Sequence, residues 1–179
     1  MRKTIAILLM LFCISCTKEN DPEITGDVTI SSRFYGTTVY YVYGYSFELE
    51  EKVPSFNSGG KLYDIIPENV INPAGDVIGV QFTTEGSNQY GFYKNGDFSG
   101  LSEADNYFNS YLEAENGPWS SLTDTLAVAQ VYTYRTHEGN FVKFCIKDVQ
   151  IIQPLTESEY VNVDIHYFIE RSGTQIFSE

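Results

Sequence analysis

Alternating apolar residues in the last third of the chain most constrain how it can fold. They occupy every second position of one segment: Val161, Val163, Ile165, Tyr167 and Ile169. Because the period is two residues, all five side chains lie on one face of a β-strand. The same period recurs over residues 39–49, 78–82 and 142–146, and clusters of glycine, asparagine and proline supply turns between these segments. The pattern predicts a mainly β protein, built as an antiparallel β-sandwich or a curled sheet.

One segment has the period of a helix instead. Its apolar residues fall three and four positions apart: Ala104, Tyr107, Phe108, Tyr111 and Leu112. Ser102 precedes this stripe and is suited to cap a helix, with Asp105 three residues further on. We therefore expect one short amphipathic helix near residues 103–114, with its aromatic stripe facing the core.

The beginning of the chain has the order of a secretory signal peptide. Arg2 and Lys3 precede an apolar run over residues 5–12, and the small residue Ser15 stands before Cys16. The run is too short to span a bilayer core, which needs about 20 apolar residues. The sequence LFCISC over residues 11–16 resembles the bacterial lipobox, where the chain is cleaved before a cysteine whose thiol is then acylated. The resemblance implies lipidation at Cys16; the alternative is an ordinary signal peptide with an incidental cysteine.

These features divide the chain into three parts. Residues 1–15 are expected to be a lipoprotein signal peptide, residues 16–25 a lipidated polar tether, and residues 26–179 a single β-rich domain. The segment KEND over residues 18–21 also resembles the acidic export signal with which Bacteroidota send lipoproteins to the cell surface. We therefore expect a cell-envelope protein held on the outer membrane, on its periplasmic or surface side, by the lipid anchor alone.

The charge of the chain excludes some partners. It contains 24 acidic residues against 11 Lys and Arg, for a net charge of −13. Removal of Arg2 and Lys3 with the signal peptide makes this −15. Such a surface repels phosphate backbones, so no nucleic-acid partner is predicted. Cys13 and Cys16 belong to the export region, so Cys145 would be the single thiol of the domain, without a partner for an internal disulfide or a zinc site.

A hairpin near the C-terminus resembles a known family. Residues 130–149, QVYTYRTHEGNFVKFCIKDV, are similar to the C-terminal hairpin of the HmuY-like lipoproteins of Bacteroidota. The resemblance implies a shared β fold and heme binding between two protein side chains, commonly histidines upstream of this hairpin. Here the histidines are His137, in the hairpin turn, and His166, in a later strand. Processing would remove both methionines with the leader, which leaves His and Tyr as possible iron ligands.

The sequence contains no catalytic motif. It lacks a Gly-x-Ser-x-Gly elbow, a P-loop, a Gly-x-Gly-x-x-Gly loop and a His-Glu-x-x-His motif. It also lacks the spaced acidic array of a calcium loop. We therefore expect neither an enzyme nor a metal centre.

Two binding functions remain open, beside a structural role in the envelope without a small ligand. The first is capture of heme or a similar hydrophobe, with His137 and His166 as weak ligand candidates. The second is binding of a carbohydrate or a protein, because flat aromatic rings stack on sugars and anchor interfaces. Trp119 is its main candidate, and the other aromatic residues proposed for it are Tyr40, Phe92 and Tyr93.

Overall fold

The computed structural model describes residues 24–56, 58–84, 91–115 and 117–177. The expected signal peptide, the lipidation site Cys16 and the tether up to residue 23 lie outside these residues. Ile24 and Thr25, which the sequence assigns to the tether, lie in the first strand. The sheet therefore begins close behind the expected lipidation site.

The described residues form nine strands and one helix. In chain order these are β1 (Ile24–Ser31), β2 (Tyr43–Ser46), β3 (Glu51–Pro54), β4 (Ile66–Ile71), β5 (Val77–Thr83), β6 (Gly91–Asp97), α1 (Leu101–Ser110), β7 (Gln130–Arg135), β8 (Phe141–Ile152) and β9 (Tyr160–Glu170). Five strands form one antiparallel sheet in the order β1-β9-β8-β7-β6. β2 pairs with β3 and β4 with β5, both antiparallel. The prediction of a mainly β, antiparallel fold with one short helix is confirmed.

The main core lies between the five-stranded sheet and the two hairpins. The apolar residues that alternate along β8 and β9 all face this core and are buried, as their period predicted. Phe144 of β8 lies at its centre, with ring centroids 6.4 Å from Phe47 and 6.1 Å from Phe82. Backbone hydrogen bonds between Tyr45 and Ile65 join the two hairpins into one layer. The arrangement is a sandwich of two antiparallel layers.

Helix α1 covers part of the opposite face of the sheet. Its buried residues Ala104 and Phe108 pack in a second cluster with Val131 and Cys145. Lys143 projects from β8 into this layer and is 5% exposed. Its ammonium donates hydrogen bonds to the carbonyl oxygens of Phe108 and Tyr111, at 2.9 and 3.0 Å. The end of a helix leaves such carbonyls without partners within the helix. Lys143 therefore caps the C-terminal end of α1 and connects it to the sheet.

The helix begins and ends earlier than the sequence predicted. It spans Leu101–Ser110 rather than residues 103–114, and the residue at its N-cap is Gly100, with no side-chain cap. Ser102 is therefore not the cap. Instead, the carboxylate of Glu103 accepts hydrogen bonds from the backbone N–H and hydroxyl of Ser99. Leu112, expected in the buried stripe, lies beyond the helix and is 48% exposed.

The alternation over residues 39–49 gives only a short strand. β2 spans Tyr43–Ser46, while Val39 and Leu49 at the two ends are 45% and 49% exposed. A tight turn follows β2, with Glu50 in the left-handed region at φ 53°. The prediction of one long half-buried strand here is wrong, because the chain turns away from the sheet on both sides of β2.

Candidate ligand-binding cleft

A cleft of about 490 Å³ opens where β1 ends. The segment after β1 forms one wall and the loop between β8 and β9 forms the other. The residues that line it are Arg33, Phe34, Tyr35, Gly36, Tyr40, Thr156, Glu157 and Ser158. We call this set the aromatic cleft. Its volume falls within the range of about 300–1,000 Å³ that is typical of small-molecule sites.

A small hairpin shapes the first wall. Tyr35 and Tyr41 exchange backbone hydrogen bonds of 2.8 and 3.0 Å, which close the turn between them. Gly36 begins this turn with φ +93°, and a Cβ atom there would lie 2.1 Å from the carbonyl oxygen of Val39. A side chain at position 36 would therefore force the turn open. The glycine holds the loop in the shape that presents Tyr40 to the cleft.

Some rings of this wall are fixed, and others are open to solvent. The ring of Tyr43 lies edge-on to those of Tyr35 and Tyr41, at centroid distances of 5.1 and 5.5 Å. A hydrogen bond with Tyr43 raises the pKa of Tyr41. Phe34 and Tyr40, in contrast, are 55% and 70% exposed. The first wall thus combines a packed cluster of three tyrosine rings, of which Tyr35 lines the cleft, with two rings that have free surface for a ligand.

The polar groups of the cleft are also held in place. The Arg33 guanidinium is 2.8 Å from the carboxylate of Glu157 in the opposite wall. It also lies 5.7 Å from the ring centroids of both Tyr35 and Tyr160, within the range of cation–π contacts. This ion pair connects the two walls and presents both a donor and an acceptor beside the exposed rings.

The aromatic candidates from the sequence occupy different surroundings. Tyr40 lines the aromatic cleft. Trp119 is half-buried, with its ring centroid 6.3 Å from Tyr93 and 6.1 Å from Phe141, in a cluster on the helix side of the sheet. Phe92 is 2% exposed in the main core, so its ring is not available to a ligand. The structure does not bring Trp119 together with Tyr40.

His137 lies beside a buried carboxylate at the opposite end of the sheet from the cleft. Its Nδ1 atom is 3.5 Å from Oδ1 of Asp64, whose side chain is fully buried. Oδ2 of Asp64 accepts the backbone N–H of Phe47 at 2.7 Å. Burial is the largest cause that raises the pKa of Asp64, and the nearby Glu48 also raises it, while the hydrogen bond from Phe47 and the charge of His137 lower it. The net result is a pKa of about 6.

His166 lies on the other side of the five-stranded sheet. Its Nδ1 atom is 2.8 Å from Asp27 on the neighbouring strand, and its ring is edge-on to Phe108 of α1 at 5.2 Å. His137, by contrast, contacts Asp64 on the side of the hairpins. The two histidines therefore do not face each other as a pair of heme ligands would.

Other reactive groups of the described residues lie in structural positions. Cys145 is fully buried, and burial raises its thiol pKa to about 11, which disfavours the reactive thiolate. Over the described ranges, no group of three or more His, Cys, Asp or Glu residues is arranged to hold a metal ion. Within the same ranges, no helix has the length and apolar character needed to cross a bilayer.

Comparison with protein-family models and with curated proteins finds no match for this chain. The aromatic cleft is therefore identified as a candidate site from its geometry alone. Sequence reasoning named Tyr40 but missed Arg33, Phe34, Tyr35 and Glu157. One signal pointed to the first wall: Phe34-Tyr35 and Tyr40-Tyr41 place large aromatic residues at adjacent positions, and neighbouring residues of a strand cannot share its buried face.

Proposed function

We propose that this protein is a lipid-anchored, non-catalytic binding protein of the bacterial cell envelope, and that its aromatic cleft binds carbohydrate. One observation carries the proposal: the exposed rings of Phe34 and Tyr40 converge with the Arg33–Glu157 ion pair in a single concave site. Ring faces offer apolar contact to the C–H faces of a sugar. The charged and hydroxyl groups at the rim supply hydrogen bonds that orient it.

The state of the acidic residues favours binding over hydrolysis. Glycosidases use two carboxylates placed on either side of the scissile bond. Glu157 is engaged by Arg33 at 2.8 Å, and the neighbouring Glu159 accepts the backbone N–H of Val77 at 3.2 Å. Both carboxylates thus serve to hold the walls of the site.

The topology also fits an anchored binding protein. β1 starts at Ile24, eight positions after Cys16, and the aromatic cleft begins just beyond its other end, at Arg33. A strand of 8 residues separates the two by about 26 Å. With an acylated Cys16, the tether would join the membrane to the Ile24 end of β1, which is the end opposite to the cleft.

Affinity gel electrophoresis tests carbohydrate binding. The full chain, purified in non-ionic detergent, is run through gels that contain a panel of soluble polysaccharides, and retardation reports binding. Phe34→Ala should lose about tenfold or more in affinity, because it removes an exposed ring from the site. Phe56→Ala is the matched control, since Phe56 is 53% exposed and lies outside the cleft. Retardation by no polysaccharide, or equal retardation of both variants, would contradict the proposal.

A heme-like hydrophobe is the second candidate ligand. Tyr35 and Tyr40 supply phenols in the cleft, and tyrosine is an established axial ligand of heme iron. Arg33 supplies a partner for a heme carboxylate. Titration with hemin should then sharpen and shift the Soret band, and Tyr40→Phe should reduce the shift while it keeps the ring for stacking on a sugar. An unshifted Soret band in the unsubstituted protein would exclude this ligand.

The anchor has its own test. Cys16→Ser removes the thiol that would be acylated, so the protein should move from the membrane fraction to the soluble fraction. Cys13→Ser is the matched control, because that cysteine would be removed with the signal peptide. Continued membrane retention of Cys16→Ser would show that Cys16 is not the anchor.

A further inference from the structure

The aromatic cleft continues on the other side of Phe34. A second cleft of about 410 Å³ begins there, between the loop before β9 and the turn that joins β4 to β5. Phe34 and Ser158 line both clefts, and Ile71, Asp76 and Glu159 line the second alone. The exposed ring of Phe34 is thus a ridge in the middle of one longer groove.

Hydrogen bonds fix the base of this groove. Ser32, directly before the aromatic wall, is 2% exposed. Its hydroxyl donates to Oδ1 of Asn69 in β4 and accepts the backbone N–H of Val161 in β9 at 2.8 Å. These bonds join the residue that follows β1 to β4 and β9, two positions before Phe34. The ridge and the two clefts therefore keep a fixed relative position, as a site with two binding positions requires.

The charges along the groove restrict the kind of ligand it can take. The positive charge of Arg33 is neutralised by Glu157. The second cleft adds the carboxylates of Asp76 and Glu159, and its lining residues include no Lys or Arg. An anionic ligand would meet uncompensated repulsion over half of the groove.

We propose that the two clefts together bind a linear, uncharged oligosaccharide that crosses Phe34, with sugar units on both sides of the ring. This inference rests on the proposed carbohydrate function and adds the length and the charge of the ligand. The exposed side chain of Ile71 supplies apolar contact in the second cleft, as Tyr40 does in the first. Asn69 and the acids at the rim accept hydrogen bonds from sugar hydroxyls.

The charge of the ligand is tested with two sets of polysaccharides in affinity gels. The uncharged set is β-glucan, mannan and xylan, and the anionic set is polygalacturonate and chondroitin sulfate. We expect retardation by at least one uncharged polymer and by neither anionic one. Retardation only by an anionic polymer would overturn the proposed ligand class while carbohydrate binding itself stands. Retardation by none would overturn both.

The length of the site is tested by calorimetric titration with a disaccharide and a hexasaccharide. Both are fragments of the polysaccharide that retards the protein in the gel. The hexasaccharide should bind at least about tenfold more tightly. Ile71→Ala should reduce that advantage about fivefold, because it removes apolar contact from the second cleft only. Ile78→Ala is the matched control: Ile78 is 54% exposed against 59% for Ile71, and it lines neither cleft. Equal affinities for both sugars, or no effect of Ile71→Ala, would restrict binding to the first cleft and overturn the extended groove.

Discussion

Replacement of Asp64 by asparagine is expected to remove a pH-dependent cost to the stability of the fold. Asp64 is 1% exposed, and its Oδ1 atom has no hydrogen-bond partner among the described residues. Burial raises its pKa from 3.8 to about 6. Asparagine has nearly the same shape and can still accept the backbone N–H of Phe47, but it carries no charge to bury.

The size and sign of the effect follow from the two pKa values. A difference of about two pKa units corresponds to about 3 kcal/mol. Well below the unfolded pKa of 3.8 the carboxyl is protonated in both states, and it costs the fold no stability. Between 3.8 and about 6 the unfolded chain holds fewer protons than the native one, so stability falls as the pH rises, and the cost levels off above this window. The cost of Asp64 should be about 3 kcal/mol at pH 8 and about half of that at pH 5.

Urea unfolding, followed by the fluorescence of Trp119, measures this cost. At pH 8 the Asp64→Asn variant should be more stable than the unsubstituted protein by up to about 3 kcal/mol, and the difference should shrink by about half at pH 5. Glu113→Gln, at an exposed position, is the control for loss of one negative charge. A constant difference between the Asp64→Asn and unsubstituted curves from pH 5 to 8 would refute the reasoning, since it would show that Asp64 does not titrate in this window.

Three further outcomes are expected. Phe144→Ala should destabilise the fold by about 3–5 kcal/mol in urea unfolding, because a fully buried ring leaves a cavity at the centre of the core; a loss below about 1 kcal/mol would contradict the described packing. Gly36→Ala should reduce polysaccharide retardation while the circular dichroism spectrum stays unchanged, because it strains only the turn of the cleft; unaltered retardation would show that this turn does not shape the site. Cys145 should react with a thiol reagent at pH 8 only after denaturation, since it is buried and its pKa is raised to about 11; rapid labelling of the native protein would contradict its burial.

The sequence predicted those features that depend on neighbouring residues. The alternation of apolar residues was sufficient to predict β8 and β9, because each strand is long and buries its alternating apolar residues in the main core. The start of α1 was missed because its N-cap, Gly100, has no side chain to signal a cap. The aromatic cleft was missed for a different reason. Arg33 and Glu157 are 124 positions apart, and only the pairing of β1 with β9 brings their loops together.

The position of the failed strand prediction is informative in itself. The alternation over residues 39–49 is a local signal for a half-buried strand. In the structure, however, the first part of this segment belongs to the Tyr35–Tyr41 turn, and the strand β2 begins only at Tyr43. Val39, which the alternation places on the buried face, thereby remains 45% exposed beside Tyr40, although its burial in a strand would stabilise the fold. Departures from local preference that leave apolar surface in water are typical of functional sites. Because Phe34 and Tyr40 contribute little to the core, their replacement should change binding without unfolding the protein, and the cleft can be tested separately from the fold.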